Sequence, residues 1–289
     1  MKKANKIFKI LLLVISTSFI LSGCFRRDDM EGINIITTVY PLEYVTNKLY
    51  GNNSVINSIY PDGIDITKYK ISSKEYKDHS KQDLFIYNGA SADRDIALNL
   101  VNKNKNILIM DANFGMETQY GIEELWLNPS NLLMISQNIK NSLIELIDSK
   151  YIRDEIIEAY NELKVELSEL DADIKLLGEN ASNKTLVVAS PSLQYLSKYG
   201  FEVILINDDI KNEKNIAKVN NLIENNSIKY IYMLENDEES KTLKQLKNSK
   251  KISVLTIDKL DNINDEERDN KENYITLMKK NIELFKKGI

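Results

Sequence analysis

Few residues in this 289-residue chain are of the kinds that do covalent or metal chemistry. It holds one histidine, His79, and one cysteine, Cys24. A single cysteine forbids an internal disulfide and any cysteine-rich zinc module. A single imidazole argues against sites that need several. No Gly-x-Ser-x-Gly elbow, phosphate-cradling glycine loop or His-x-x-x-His pair occurs, so the sequence predicts no enzyme. What remains is carboxylates, hydroxyls and rings. His79, in the charged stretch Lys74–Lys81, reads as a solvated helical residue. Trp126 reads as a core anchor near a cleft floor. Tyr60, Tyr69 and Tyr87 read as tyrosines packed on sheet edges, with the lining of a pocket for a non-metal solute as the alternative. Glu235, just after the strand Tyr230–Leu234, reads as a hydrogen-bonding group on a cleft rim. Lys+Arg number 38 against 43 Asp+Glu, for a net charge of −5, which disfavours phosphate-tracking nucleic-acid binding. With 43% apolar and 28% charged residues the chain is globular in composition.

The N-terminus reads as an address. Lys2, Lys3, Lys6 and Lys9 precede an apolar run from Ile10 to Ile20 that ends in Leu21-Ser22-Gly23-Cys24. A charged start, an apolar stretch short for a bilayer, and small residues before a cysteine resemble a bacterial lipoprotein signal. The expected outcome is removal of residues 1–23, acylation of Cys24, and a polar tether over residues 24–32. The soluble part is then held at the extracytoplasmic face of the cell membrane.

Beyond the tether, short β-rich runs alternate with helical patterns. Strands are predicted at Ile33–Thr38, Ser54–Tyr60, Asp83–Tyr87 and Asn106–Met110, and again at Thr185–Ala189, Glu202–Leu205, Lys229–Leu234 and Ile252–Ile257. Helices fit between them, including Ser192–Tyr199. The run Asp261–Lys271 reads as a charged surface loop. Such alternation implies parallel sheets with helical crossovers. Between the halves, Tyr151–Leu177 places Ile152, Ile156, Tyr160, Leu163, Leu167, Leu170, Ile174 and Leu177 at steps of three and four, with Gly178 at its end. The predicted fold class is α/β: two lobes, each a parallel-type sheet flanked by helices, joined by one long rigid linker helix. The predicted boundaries are 33–148 for the N-terminal lobe, 149–178 for the linker and 179–289 for the C-terminal lobe. A single stiff helix should resist large hinge closure.

Several segments, in order, resemble the metal-binding solute-receptor family of bacterial ABC importers. They are Thr37-Thr38-Val39-Tyr40-Pro41-Leu42, Tyr60-Pro61-Asp62-Gly63-Ile64-Asp65, Asp83-Leu84-Phe85-Ile86-Tyr87-Asn88-Gly89, Leu125-Trp126-Leu127-Asn128-Pro129, Tyr195-Leu196-Ser197-Lys198-Tyr199-Gly200 and Tyr274…Asn281. The resemblance implies a lipoprotein receptor that delivers zinc or manganese to a membrane permease. Carried over, the family's ligand positions fall on Thr67, Glu124, Ser190 and Asp258. Only Asp258, in Ile257-Asp258-Lys259-Leu260, keeps the family's residue type, and Glu123 replaces Glu124 if the register slips by one. Two carboxylates and two hydroxyls make an oxygen-only set, which suits harder cations than zinc. Losing a supporting partner alone costs about 10–100-fold, so three replaced ligands should cost roughly 10³-fold in affinity. The implied function is a lipid-anchored solute-binding protein of an ABC-type zinc/manganese-class uptake system with an eroded ligand set. The alternative is the same scaffold binding a non-metal solute, or serving as a surface adhesin or structural lipoprotein. The implied partners are an ABC permease in the cytoplasmic membrane and the membrane itself through the lipid. No nucleic acid is expected, the chain is expected to be a monomer, no cofactor is required, and the cargo metal would be Mn or Zn.

Overall fold

The structure is a computed structural model that describes residues 28–208, 213–249 and 252–289. Cys24, the signal segment 1–23 and the first part of the tether lie outside the described residues.

All eight predicted strands form, as two four-stranded sheets. The first contains β1 (Ile33–Thr37), β2 (Ser54–Ser58), β3 (Leu84–Tyr87) and β4 (Leu108–Asp111) in the order β2-β1-β3-β4. The second contains β5 (Thr185–Val188), β6 (Glu202–Leu205), β7 (Tyr230–Leu234) and β8 (Ser253–Ile257) in the order β6-β5-β7-β8. Every pairing is parallel. The central strands are covered on both faces, as Leu84, Phe85 and Ile86 or Leu186, Val187 and Val188 illustrate. This accounts for their unbroken apolar runs. In both sheets the strand order reverses beside the first strand. Such a reversal opens a crevice at the carboxyl ends of the strands. The segments after β1, β3, β5, β7 and β8 therefore frame the site.

The helices are α1 (Tyr40–Tyr50), α2 (Ser73–His79), α3 (Asp93–Lys103), α4 (Glu124–Leu127), α5 (Pro129–Leu146), α6 (Lys150–Asn180), α7 (Glu213–Glu224), α8 (Lys241–Ser249), α9 (Asp265–Asp269) and α10 (Tyr274–Lys286). The long helix α6 has 31 residues, about 46 Å at 1.5 Å per residue. Its buried stripe is Ile152, Ile156, Tyr160, Leu163, Leu167, Leu170 and Ile174. It packs on α1 and α5 of the first half and on α10 of the second, so one helix backs both lobes.

Three segments differ from the sequence reading. Pro191–Tyr199 is 3-10 helix and not α-helix. Asp261–Lys271 is not simply a loop: it contains α9, started by a capping box between Asn264 and Glu267. Residues 28–32 are fastened to the lobe, since Asp28 Oδ1 accepts the Met30 N–H, Met30 is buried and the Tyr50 hydroxyl donates to its carbonyl at 2.6 Å.

Candidate functional site

The lobes meet through backbone and side-chain bonds between the segments around residues 60–63 and 259–268. The Gly63 N–H donates to the Ile263 carbonyl at 2.9 Å, and Asn262 Nδ2 donates to the Pro61 carbonyl at 2.9 Å. The Tyr40 N–H donates to the Asp261 carbonyl at 3.0 Å. Trp126, on α4, donates its indole N–H to the Lys259 carbonyl at 2.8 Å. That bond fixes the turn after β8, where Leu260 adopts a left-handed φ of 59°.

Lys259 is the centre of what this turn positions. Its side chain is buried and its ammonium lies 3.2 Å from Glu123 Oε1 and 3.3 Å from Asp237 Oδ1. Glu123 comes from the N-terminal lobe, just before α4, and Asp237 follows β7 of the other lobe. The Ser192 hydroxyl donates to Glu123 Oε2 and the Ser190 hydroxyl to Asp237 Oδ2. Burial pulls the Lys259 pKa down, but the Glu123 and Asp237 charges, helped by Asp261, push it up further, so it lies above its ordinary value. A charged lysine thus sits between carboxylates from both lobes. Nothing in sequence spacing singled out Lys259, Asp237 or Ser192. One signal was available: a lysine directly after the surviving Asp258.

The four expected ligand positions are occupied with other partners. Thr67 is exposed, and its hydroxyl donates to Asp65 Oδ1 at 2.5 Å. Ion pairing and hydrogen bonding with Lys68, then the Thr67 hydroxyl, hold Asp65 down to about 2. Glu124 is buried, and its two oxygens accept the N–H groups of Gln119 and Tyr120 at 3.0 and 2.8 Å. It thereby shapes a turn and faces a different cavity from Thr67. Ser190 is fully committed, also accepting the Leu234 N–H at 2.9 Å. Asp258 Oδ1 accepts the Leu260 N–H at 2.8 Å. Asn281 brackets the Asp258 backbone, accepting its N–H at 3.0 Å and donating to its carbonyl at 2.9 Å. Asp258 shares a hollow of about 90 Å³ with the exposed Glu235. Thr67, Glu124 and Asp258 thus line three different hollows, those of Thr67 and Asp258 adjoining at Asp261, where the sequence suggested one shared oxygen-donor centre. Of the two neighbouring glutamates, Glu123 is the one that lines the cavity with Trp126 and meets Lys259. Among the described residues no three His, Cys, Asp or Glu side chains are grouped to hold a metal ion.

Beside Lys259 opens a cavity of about 510 Å³, within the range of small-molecule sites. Tyr60, Tyr69, Tyr76 and Trp126 line it, together with Asp93, Glu123 and Asp261. Tyr60 and Tyr69 meet edge to face, with centroids 6.0 Å apart. Tyr87 instead stacks on Phe85 at 5.5 Å. His79 is half-buried, and burial lowers its pKa, so it is not the solvated residue the sequence suggested.

Burial also raises Asp258 from 3.8 to about 7 and Asp261 from 3.8 to about 6, with the Lys259 charge opposing the second shift. The folded chain therefore holds protons that the unfolded chain has released. The stability these groups contribute is complete below about pH 4 and is lost as pH rises through 6–7. Asp258→Asn keeps the acceptor for Leu260. It is expected to match the parent protein at pH 4 and to exceed its denaturant midpoint at pH 8. Equal midpoints at both values would contradict the assignment.

The family model ZnuA, zinc-uptake complex component A periplasmic, matches residues 35–288. The chain belongs to the ZnuA family. It is 24% identical to the zinc-binding protein AdcA of Streptococcus pyogenes serotype M3, over 88% of this chain and 55% of that protein. It is 22% identical to the high-affinity zinc uptake system protein ZnuA of Bacillus subtilis, over 96% of this chain and 97% of that one. The chain spans about half the length of the AdcA proteins it matches. Its fold superposes on the Zn(II)-bound ZnuA-like domain of Streptococcus pneumoniae AdcA with TM-score 0.71 at 22% identity, covering 89% of this chain and 98% of that domain. The metal-dependent lipoprotein YcdH of Bacillus subtilis gives 0.73 at 19% identity, covering 89% and 99%. The ZnuA-type fold of two parallel sheets in two lobes is therefore shared, and the family is one of transporter solute-binding proteins. No described helix is long and apolar enough to cross a membrane.

Proposed function

We propose that this chain is a lipid-anchored, extracytoplasmic solute-binding protein serving an ABC permease of the zinc/manganese-class lineage, and that its cleft takes a non-metal solute. Family membership supports the receptor role. The Leu21-Ser22-Gly23-Cys24 segment supports the anchor, as does the description of a relative 24% identical, from Streptococcus pneumoniae, as a zinc-binding lipoprotein. The observation that carries the cargo reading is Lys259. A divalent cation needs facing carboxylates free of competing charge. Here a buried ammonium already lies between Glu123 and Asp237, where a divalent cation would have to sit, and Thr67 and Glu124 are engaged elsewhere.

The test is a thermal-shift panel with Zn and Mn. The parent protein is expected to be indifferent, and Lys259→Met, which leaves two carboxylates and two serine hydroxyls facing one another, is expected to gain stabilisation by Mn or Zn. At tenfold excess over Kd the gain would be about 1.4 kcal/mol. A parent protein stabilised by Mn or Zn, with the effect abolished in Asp258→Ala, would instead establish the oxygen-donor metal receptor.

A further inference from the structure

The cavity beside Lys259 contains a carboxylate that the fold satisfies only in part: burial raises the Asp93 pKa, opposed by hydrogen bonds from the Thr38 and Ser91 side chains and the Asn88 backbone. Asp93 is the first residue of α3, 8% exposed, and its Oδ2 is sheltered from solvent with no hydrogen-bond partner. An acidic residue in the first turn suits the helix dipole, but an exposed carboxylate would serve that purpose without burial. A buried carboxylate oxygen with no donor costs several kcal/mol in principle. A group of this kind in a cavity wall is explained when a ligand supplies the missing donor.

The rest of the lining specifies the donor. Tyr60, Tyr69 and Tyr76 share the cavity with Asp93, and the Asp93 charge is felt at the Tyr60 phenol. Aromatic faces around a carboxylate favour a cation with an apolar body, through cation–π attraction and burial. The charge balance agrees. Asp93, Asp95, Glu123 and Asp261 line the cavity against Lys70 and Lys259, and Lys259 is already committed to Glu123 and Asp237. An anion would meet net negative charge, and a neutral solute would leave Asp93 Oδ2 without a charged donor.

We infer that this cavity binds a small organic amine, its ammonium donating to Asp93 Oδ2 and its apolar part lying among Tyr60, Tyr69 and Tyr76. The inference rests on the non-metal reading above and names the class of solute.

Calorimetric titration of the intact chain with tyramine, phenethylamine, agmatine and putrescine tests it, with tyrosol and glucose as neutral comparators and 4-hydroxyphenylacetate as the anion. At least one amine is expected to bind while the comparators do not. Asp93→Asn is expected to weaken that binding at least about tenfold, and Tyr69→Leu, which leaves the carboxylate in place, about threefold. Should Asp93→Asn fail to fold, the ranking of amine, neutral and anion on the parent protein and the Tyr69→Leu result still decide. Silence of all four amines, equal or tighter binding of tyrosol, glucose or the anion, or undiminished amine binding by folded Asp93→Asn would overturn the inference. Amine silence with a metal-indifferent parent overturns this inference alone. Capture of Zn or Mn by the parent protein overturns the non-metal reading beneath it and leaves the receptor role standing.

Discussion

Arg268→Ala is expected to destabilise the protein by about 2–3 kcal/mol, which for a chain of this size lowers Tm by roughly 5–10 °C. Arg268, on α9 of the C-terminal half, forms two parallel bonds to Glu43 of α1, at 2.8 and 2.9 Å, and also pairs with Asp62. Glu43 is only 5% exposed, so deleting the guanidinium leaves a buried carboxylate without its counter-ion. Breaking a fully buried pair costs about 3–5 kcal/mol. The side chain of Arg268 is 37% exposed, so water enters the gap and the lower figure applies. Arg268→Lys keeps the charge but loses the planar fork, and should fall between the two. Chemical denaturation of Arg268→Ala in a Glu43→Gln background is the decisive comparison. With the charge on Glu43 removed, the second loss should shrink by more than half. An undiminished loss would show that Arg268 acts through packing alone.

The Arg268 clamp changes what the long helix has to do. A stiff α6 was expected to resist hinge closure by itself. The Arg268–Glu43–Asp62 cluster, the Lys259 pairs and the bonds of Tyr40, Gly63, Asn262 and Trp126 across the cleft add restraints on the open side. The lobes are thus held from behind by apolar packing and in front by charge.

Much of the fold was legible because it depends on local patterns. Apolar runs gave the strands, and steps of three and four gave the buried stripe of α6. Fold class followed from alternation alone. The 3-10 form of Pro191–Tyr199 was not legible, since its apolar spacing serves either helix type. The α9 turn was obscured by its charges: Asp265, Glu266, Glu267 and Arg268 look like solvent-facing loop until Arg268 is seen against Glu43. At the site, Trp126 was readable as an anchor on the cleft floor, because a lone large aromatic in an amphipathic segment is usually buried. The fate of Glu124 was not readable, because a glutamate that accepts two backbone N–H groups has the same sequence as one that faces a ligand. Lys259 and Asp93 were missed for a related reason. Their roles come from burial and from which charges the fold brings against them, such as Glu123 against Lys259 across 136 residues of sequence, and no spacing rule encodes that.

Gly178→Ala gives the second large effect, and its sign is diagnostic. The sequence placed the end of the linker helix at Gly178, yet α6 continues to Asn180 and Gly178 is buried within it. At an ordinary helical position the change to alanine stabilises by about 1 kcal/mol. Here an added Cβ would strike the Tyr199 carbonyl and approach the Phe201 ring at 3.3 Å. The obstruction is backbone, and it cannot retreat easily, because the Tyr199 hydroxyl is bonded to Asp171 at 2.6 Å and to Asn128 at 3.1 Å. Overpacking of this kind costs about 1–3 kcal/mol, so net destabilisation is expected despite the gain in helix propensity. It would appear as a lower denaturant midpoint with unchanged helical circular dichroism, since the helix survives and its seat against the C-terminal lobe does not. A more stable variant would mean that α6 does not approach Tyr199 closely. The glycine then simply ends the helix, as the sequence suggested, and the strut loses its fixed seat on the second lobe.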